Sequence, residues 1–500
     1  MATTTLEAGS APAAASRTGL LRRHRAARLV ALTMLAAVLA GACGTAGATP
    51  SAVAKPSAVA PATPAATASP SPVSTPIPVS TPVASPSPAD WPVYHGDPGR
   101  SGFIGGFPTF DGALASAWSS RLDGAVYGQP IVVGDVVIAA TENDSVYALD
   151  SATGKTLWRR NLGTPVRRSS LPCGNIDPLG ITGTSAYDAT TSSVFVVAEV
   201  TGPHHVLFAL DPVGGAVRWS RDVDLAGDTP ITHQQRPALA VANGYVYIGF
   251  GGLAGDCGQY KGKVVGVPAS GTGDTIFYRV PVKREGAVWS TGGPAIDAAG
   301  NLYIATGNGS STTTFDGSDA VVELAPDLKV VSYFAPSRWA ADNAADEDLG
   351  STSPMLLPGG LVFIAGKSGI GYVLRQGALG GIGGQVASAT VCASFGAAAR
   401  DGSTVYVPCT DGIRQIVVGA GGTIKVGWHT GTGASGPPVV AGGAVWAMNI
   451  SQGRLYALSP ATGASLASID IGTLPHFASP TLWNGLVLVG TMSGVVAVKA

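Results

Sequence analysis

Polar side chains recur just ahead of proline-led apolar stretches: Gln129 before Pro130, Gln234-Gln235-Arg236 before Pro237, Thr352-Ser353 before Pro354, and His476 with Ser479 before Pro480. Ser435 precedes Pro437 in the same way, and Ser290 holds the matching place in Gly286-Ala287-Val288-Trp289-Ser290. Proline at the first position of a strand removes no ladder donor, so each proline marks a strand start. Donors and acceptors gathered at strand starts suit ligand binding through hydrogen bonds, and they equally suit holding the strand ends themselves. Other chemistries lack their residues. No Gly-x-Ser-x-Gly elbow occurs. Gly366-Lys367-Ser368 lacks the earlier glycine of a phosphate loop, because position 361 is Leu within the apolar run 361–365. His95, His204, His205, His233, His429 and His476 show no metal-ligand spacing, and the adjacent His204 and His205 face opposite sides of any strand. Asp342, Asp346, Glu347 and Asp348 crowd one loop without the alternate spacing of a calcium loop, so no metal site is expected.

The elements that position these residues come from a repeat. An apolar strand ends in a turn residue, Thr-Gly or Gly-Gly follows, and then a strand carries an aromatic residue. Val146-Tyr147-Ala148-Leu149-Asp150 leads to Thr153-Gly154 and Trp158; Leu207 to Asp211 leads to Gly214-Gly215 and Trp219; Leu455 to Ser459 leads to Thr462-Gly463. Degenerate copies bring the fifth positions to 150, 211, 268, 325, 375, 418, 459 and 499, with spacings that shrink from 61 to 40. A unit of about 40 residues is a four-stranded propeller blade, and the longer units carry loop insertions. The expected fold is all-β: an eight-bladed propeller of four-stranded antiparallel blades. The last copy ends one residue before the C-terminus and lacks an outer strand, so the strand around Trp118 is expected to complete it and close the ring. Trp118, Trp158, Trp219 and Trp428 recur with the repeat and are read as blade-docking residues. Trp289 lies outside that register, just before an inner strand, where it faces the mouth of the central channel.

Residues 1–90 are read apart from the fold. Arg22, Arg23, Arg25 and Arg28 precede an uncharged apolar run from Leu29 to Ala42, the order of a secretory signal. It ends in Leu39-Ala40-Gly41-Ala42-Cys43, which resembles a bacterial lipobox with Cys43 as the acylated residue. Residues 44–90 are almost wholly Ala, Pro, Ser, Thr and Val and read as an extended tether, about 3 Å per residue. The expected domains are therefore a signal with lipobox (1–43), a tether (44–90) and the propeller (91–500). Four cysteines remain. Cys392 and Cys409 flank the turn signal Arg400-Asp401-Gly402 and are expected to pair; Cys173 and Cys257 then pair by exclusion, in an oxidising compartment.

The Ala-x-x-x-Thr-Gly-x-x-x-Trp elements of this repeat resemble the PQQ-like (quinoprotein-type) β-propeller repeat, and the resemblance covers residues 91–500. Trp91 to Asp97, Gly292-Gly293-Pro294 with Ala305-Thr306-Gly307-Asn308-Gly309, and Asp348 to Pro354 are similar to stretches in propellers of bacterial envelopes. In quinone enzymes of this type the resemblance implies a Trp platform, calcium held by carboxylate and amide, an acidic base and a disulfide of adjacent cysteines. Here Trp289 stands for the platform, Asn308 for the amide and Asp348 for the carboxylate, with Arg236 or Lys367 meeting the acid groups of the quinone. No Cys-Cys pair exists in the chain. The expected function is accordingly an extracytoplasmic, membrane-tethered propeller without cofactor, a monomer that binds a small ligand or an envelope protein. The candidate mouth residues are Gln129, Gln234, Gln235, Arg236, Trp289, Ser290, Asn308, Asp348, Thr352, Lys367 and His476. The alternative is a PQQ-dependent dehydrogenase of alcohols or sugars using PQQ with calcium. Composition agrees with a ring of strands: only 12% of the 500 residues are charged, Gly (69) and Pro (36) disfavour helices, and a net charge of −1 gives no reason to expect nucleic acid.

Overall fold

The computed structural model describes residues 90–500; the expected signal, Cys43 and all but the last residue of the expected tether lie outside the described residues. Eight antiparallel sheets form a propeller ring. Blade one shows the pattern: Ile131–Val133, Val136–Ala140, Ser145–Asp150 and Thr156–Asn161 are hydrogen-bonded in that order. The second and third strands are buried between neighbouring blades, so they read as continuous apolar runs, whereas the outermost strand is mostly exposed and polar. In blade three the first strand is divided, with His233–Gln234 and Ala240–Ala242 both pairing with Tyr245–Gly252. Blade four gains a parallel fifth element, Gly381–Ile382, on Val330–Ala335.

The ring closes through Ala115–Arg121, which pairs antiparallel with Gly494–Lys499 as the outermost strand of the last blade. Its Trp118 performs the docking of the repeat. Trp118 Nε1 donates to the Ser151 carbonyl at 2.9 Å, Trp158 Nε1 to Pro212 at 2.9 Å and Trp428 Nε1 to Pro460 at 2.9 Å. Each indole lies on the glycine of the Thr-Gly or Gly-Gly turn in the next blade. A Cβ on Gly154, Gly215 or Gly463 would stand 2.5, 2.4 or 2.3 Å from that indole, and all three glycines have φ near +70°. A β-bulge precedes Trp118, Trp158 and Trp219, between Ser116 and Trp118 and opposite Ala148/Leu149 and Ala209/Leu210. One extra residue bends the outer strand and aims the ring sideways at the neighbouring blade.

The central channel is filled. The segment from Trp91 to Phe110 crosses it and bonds to the inner strands of most blades. Trp91 exchanges backbone hydrogen bonds with Val132, the Pro92 carbonyl accepts Tyr187 N–H, the Pro98 carbonyl accepts Ile296 N–H, and the Gly102 carbonyl accepts Val440 N–H. Arg100, 1% exposed, donates to the carbonyls of Tyr94, Leu239 and Pro294. A charge buried at this depth is tolerated because its donors are occupied by carbonyl oxygens. Both expected disulfides form, Cys173–Cys257 and Cys392–Cys409. Among the described residues no helix is long and apolar enough to cross a membrane.

Candidate functional site

Within an antiparallel blade, the connection from the previous blade and the turn between the second and third strands open on one face of the ring. The expected mouth residues sort themselves there into two groups. Gln129 is buried and committed to the plug: its Oε1 accepts His95 N–H at 2.8 Å and Trp91 Nε1–H at 3.2 Å, and its Nε2 donates to the Pro480 carbonyl. Gln235 donates to the Pro237 carbonyl, Ser290 bonds Ser353 and the Gly396 carbonyl, and Thr352 donates to Ala365. Gln234 is buried in its two-residue strand. Gln129, Gln235, Ser290 and Thr352 hold strand ends, because a residue just before an inner strand points into the ring where inter-blade carbonyls need donors.

The other six are gathered at the mouth. Lys367 Nζ lies 2.7 Å from Asp348 Oδ2 and 2.9 Å from Asp346; it also stands 5.9 Å from the Trp289 ring centre. Asp348 Oδ1 accepts the Asn308 backbone N–H. Gly307 makes this closeness possible, since a Cβ there would fall 2.9 Å from Asp348 Oδ1 and 3.2 Å from Trp289 Nε1. The Trp289 ring is flanked by Phe395 at 6.3 Å and Phe477 at 6.2 Å. The Arg236 guanidinium sits 4.7 Å from the Phe477 ring centre, and its Nη2 donates to the His476 carbonyl at 3.4 Å. Trp289, Arg236 and Asp348 thus belong to one continuous cluster, joined by Phe477 on one side and by Lys367 on the other.

Beside the aromatic trio lies a small cleft lined by Tyr94, Tyr127, Thr182, Thr184, Arg236, Thr291, His476 and Phe477, with a volume of about 10 Å³, room for one water. On its wall Tyr94 OH meets Thr291 and Ser479, Thr182 meets Glu142, and Arg236 Nε has no partner. A buried donor without a partner carries a desolvation penalty of about 1–3 kcal/mol, so Arg236 marks a place where a polar ligand would be held. Of these residues the sequence reading found Arg236 and His476 only. Tyr94 comes from the plug and Thr182, Thr291 and Phe477 from inter-blade loops, and no repeat position distinguishes them.

The carboxyls around the mouth are raised. Burial pushes Glu142 up to about 7. Asp144 rises to about 8 by burial and then by the charges of Glu142 and Glu199, and Asp319 to about 8 by burial and the charge of Asp348. Burial also raises Asp348, although Lys367 works against it. Burial alone would lower Lys367, but Asp348 and Asp346 outweigh it and raise the ammonium. Near neutral pH Asp144 and Asp319 are therefore largely uncharged, while Lys367 stays cationic.

Comparisons with known proteins agree with the repeat. A family model described as outer membrane protein assembly factor BamB, of the PQQ_2 type, matches residues 109–248. A polyvinylalcohol dehydrogenase of Sphingopyxis sp. (strain 113P3) is 26% identical over 262 residues, 47% of this chain and 36% of that protein. The chain thus spans little more than a third of the length of that relative. The quinohemoprotein alcohol dehydrogenase ADHIIG from Pseudomonas putida HK5 superposes with a TM-score of 0.65 at 17% identity, over 82% of this chain and 80% of that one. BamB from Moraxella catarrhalis superposes at 0.54 and 17% identity, over 77% of this chain and 99% of that one.

Proposed function

We propose a redox role for this eight-bladed propeller of PQQ-like repeats; the expectation that it works without a cofactor is overturned by its similarity to two polyvinylalcohol dehydrogenases and, in fold, to a quinohemoprotein alcohol dehydrogenase. We propose that the mouth binds a planar, acidic quinone of the PQQ type and that the protein oxidises alcohol groups. The observation that carries this reading is the pair of cations at the aromatic cluster: Arg236, whose Nε has no partner, lies on the Phe477 ring, and the Lys367 ammonium lies near the Trp289 ring. Such a set fits a flat group rich in carboxylates and carbonyls, because two cations meet the acid groups and indole and phenyl faces supply stacking surface. Asn308 would offer its amide oxygen to a calcium ion, whereas both Asp348 oxygens are engaged, by the Asn308 N–H and by Lys367. The bound quinone supplies a two-electron acceptor.

The remaining work falls to the chain. Asp348, made more basic by burial and held in place by Lys367 and the Asn308 N–H, receives the hydroxyl proton of the alcohol. Arg236 and Lys367 fix the anionic group, and the rings of Phe395 and Phe477 exclude water. Because the cleft holds about one water, Phe477 must swing off Arg236 to admit a planar ligand. The test is reconstitution of the purified protein with PQQ and calcium, followed by absorption spectroscopy and dye-linked oxidation of alcohols. Stoichiometric uptake with turnover is expected; no uptake sinks the reading.

The BamB match over residues 109–248 and the filled channel favour a second reading, a binding or scaffold protein of the envelope. It predicts no quinone uptake and retention of an envelope protein instead. Both readings place the chain outside the cytoplasm, which suits its two disulfides. Anchoring through an acylated Cys43 is part of the proposal, and Cys43→Ala should release the protein from membranes.

A further inference from the structure

We infer that His204, Asp222 and Asp224 form a zinc-type divalent metal site on blade two, outside the proposed quinone site. Spacing along the chain hides this set and strand pairing creates it. His204 opens the strand His204–Leu210, which pairs with Val217–Asp222 so that Val206 lies opposite Asp222. Side chains two apart share a face, so Asp222 and the following Asp224 come beside His204, while His205 points the other way. His204 Nδ1 is 3.2 Å from Asp222 Oδ2 and 3.7 Å from Asp224 Oδ2. Among the described residues these three are the one set of at least three His, Cys, Asp or Glu residues whose ligand atoms all lie within 4.8 Å of one another. Ligands about 2.0–2.1 Å from a tetrahedral zinc stand roughly 3.3 Å apart, so the ion fits with little movement.

The ligands are also held from behind. Asp224 Oδ1 is 2.8 Å from His205 Nδ1, and Asp224 Oδ2 accepts the His205 backbone N–H at 3.0 Å. His205 is fully buried and reaches Glu199 Oε2 at 3.4 Å through its other nitrogen. A carboxylate oriented by a buried histidine is the kind of supporting contact that fixes metal ligands. Asp222 Oδ1 accepts Asp224 N–H, which leaves Oδ2 directed at His204. Lys263 lies 4.0 Å from Asp224 but is bonded to Asp228, so it opposes a cation only weakly. An imidazole with two carboxylates selects a borderline divalent ion such as zinc over calcium, and a fourth position remains for water.

The experiment is calorimetric titration of the purified protein with Zn²⁺ in the absence of quinone, repeated with His204→Ala and Asp222→Asn, and with Co²⁺ to read the coordination from its visible bands. One equivalent of micromolar or tighter binding is expected, with tetrahedral Co²⁺ bands, and each variant should weaken binding at least tenfold. His204 is half exposed, and circular dichroism checks that the variants fold. No binding to the parent protein, or equal binding by His204→Ala, overturns the assignment. Because quinone is left out, the result is independent of the proposed dehydrogenase chemistry.

Discussion

Arg236 shows how one side chain can link binding and access. Its guanidinium lies on Phe477, its Nε lacks a partner, and its Nη2 holds the His476 carbonyl. Phe477 itself has φ of +64°, a backbone region that costs a bulky residue energy. That strain keeps the ring over the cleft only while Arg236 and the aromatic neighbours hold it. Replacing the cation should therefore remove a charge-assisted contact to an acidic ligand, worth about 1.5–3 kcal/mol. Arg236→Leu is expected to weaken PQQ binding by roughly ten- to a hundredfold, read by fluorescence quenching of Trp289. Asp348→Asn should keep quinone binding and lose most of the oxidation rate, which separates the proton acceptor from the binding wall.

At the level of elements, the Trp-on-Gly dock explains why the repeat is written as it is. Alanine at Gly154 would require left-handed backbone and would place its Cβ 2.5 Å from the Trp118 ring. Gly134 also has positive φ, +56°, but open space around its missing Cβ. Gly134→Ala should cost only the backbone term of about 1–2 kcal/mol, whereas Gly154→Ala should cost more than that and shift the urea midpoint further, since the indole must leave its carbonyl partner. Equal costs would show that the dock contributes little. These docks were legible in the sequence because they recur. The mouth was legible only in part: Trp289 stood out by lying outside the repeat register, and Asn308, Asp348 and Lys367 through the resemblance to quinone enzymes, but Gln129, Gln235, Ser290 and Thr352 looked like the other mouth candidates and bond strand ends.

For the whole molecule, buried titratable groups set a pH profile. Glu142, Asp144 and Asp319 have folded values raised from the ordinary carboxylate range to about 7, 8 and 8. Each stabilises the fold fully at pH below its unfolded value and loses that contribution as pH rises through the folded one. His205 is raised to about 9, chiefly by Glu199 and Asp224 against its burial, and its contribution is lost between about 6.5 and 9. His95 and His233, lowered by burial to about 3 and 4, act oppositely and add stability as pH climbs toward 6.5. Below about pH 6.5 the two histidines offset only part of the loss from the three acids, and above it only losses remain. The melting temperature should fall gently from about pH 5 to 6.5 and more steeply toward pH 8, and Asp144→Asn should flatten the fall. A melting temperature that rises over that alkaline range would contradict the assignment of buried neutral acids.

The sequence by itself determined the ring: a repeated strand, turn and tryptophan can be satisfied only against a neighbour of the same kind, so local pattern dictates blade number and closure. For the cysteines it offered a pairing, from a hairpin turn and elimination, that only the structure settled. Tertiary structure alone decided what fills the channel, which polar residues face the mouth rather than a strand end, and that His204 meets two aspartates across a strand pair. Those outcomes depend on contacts between residues far apart in the chain, such as Tyr94 with Thr291 or Trp289 with Phe477, and a pattern repeated eight times contains no local signal for contacts made once.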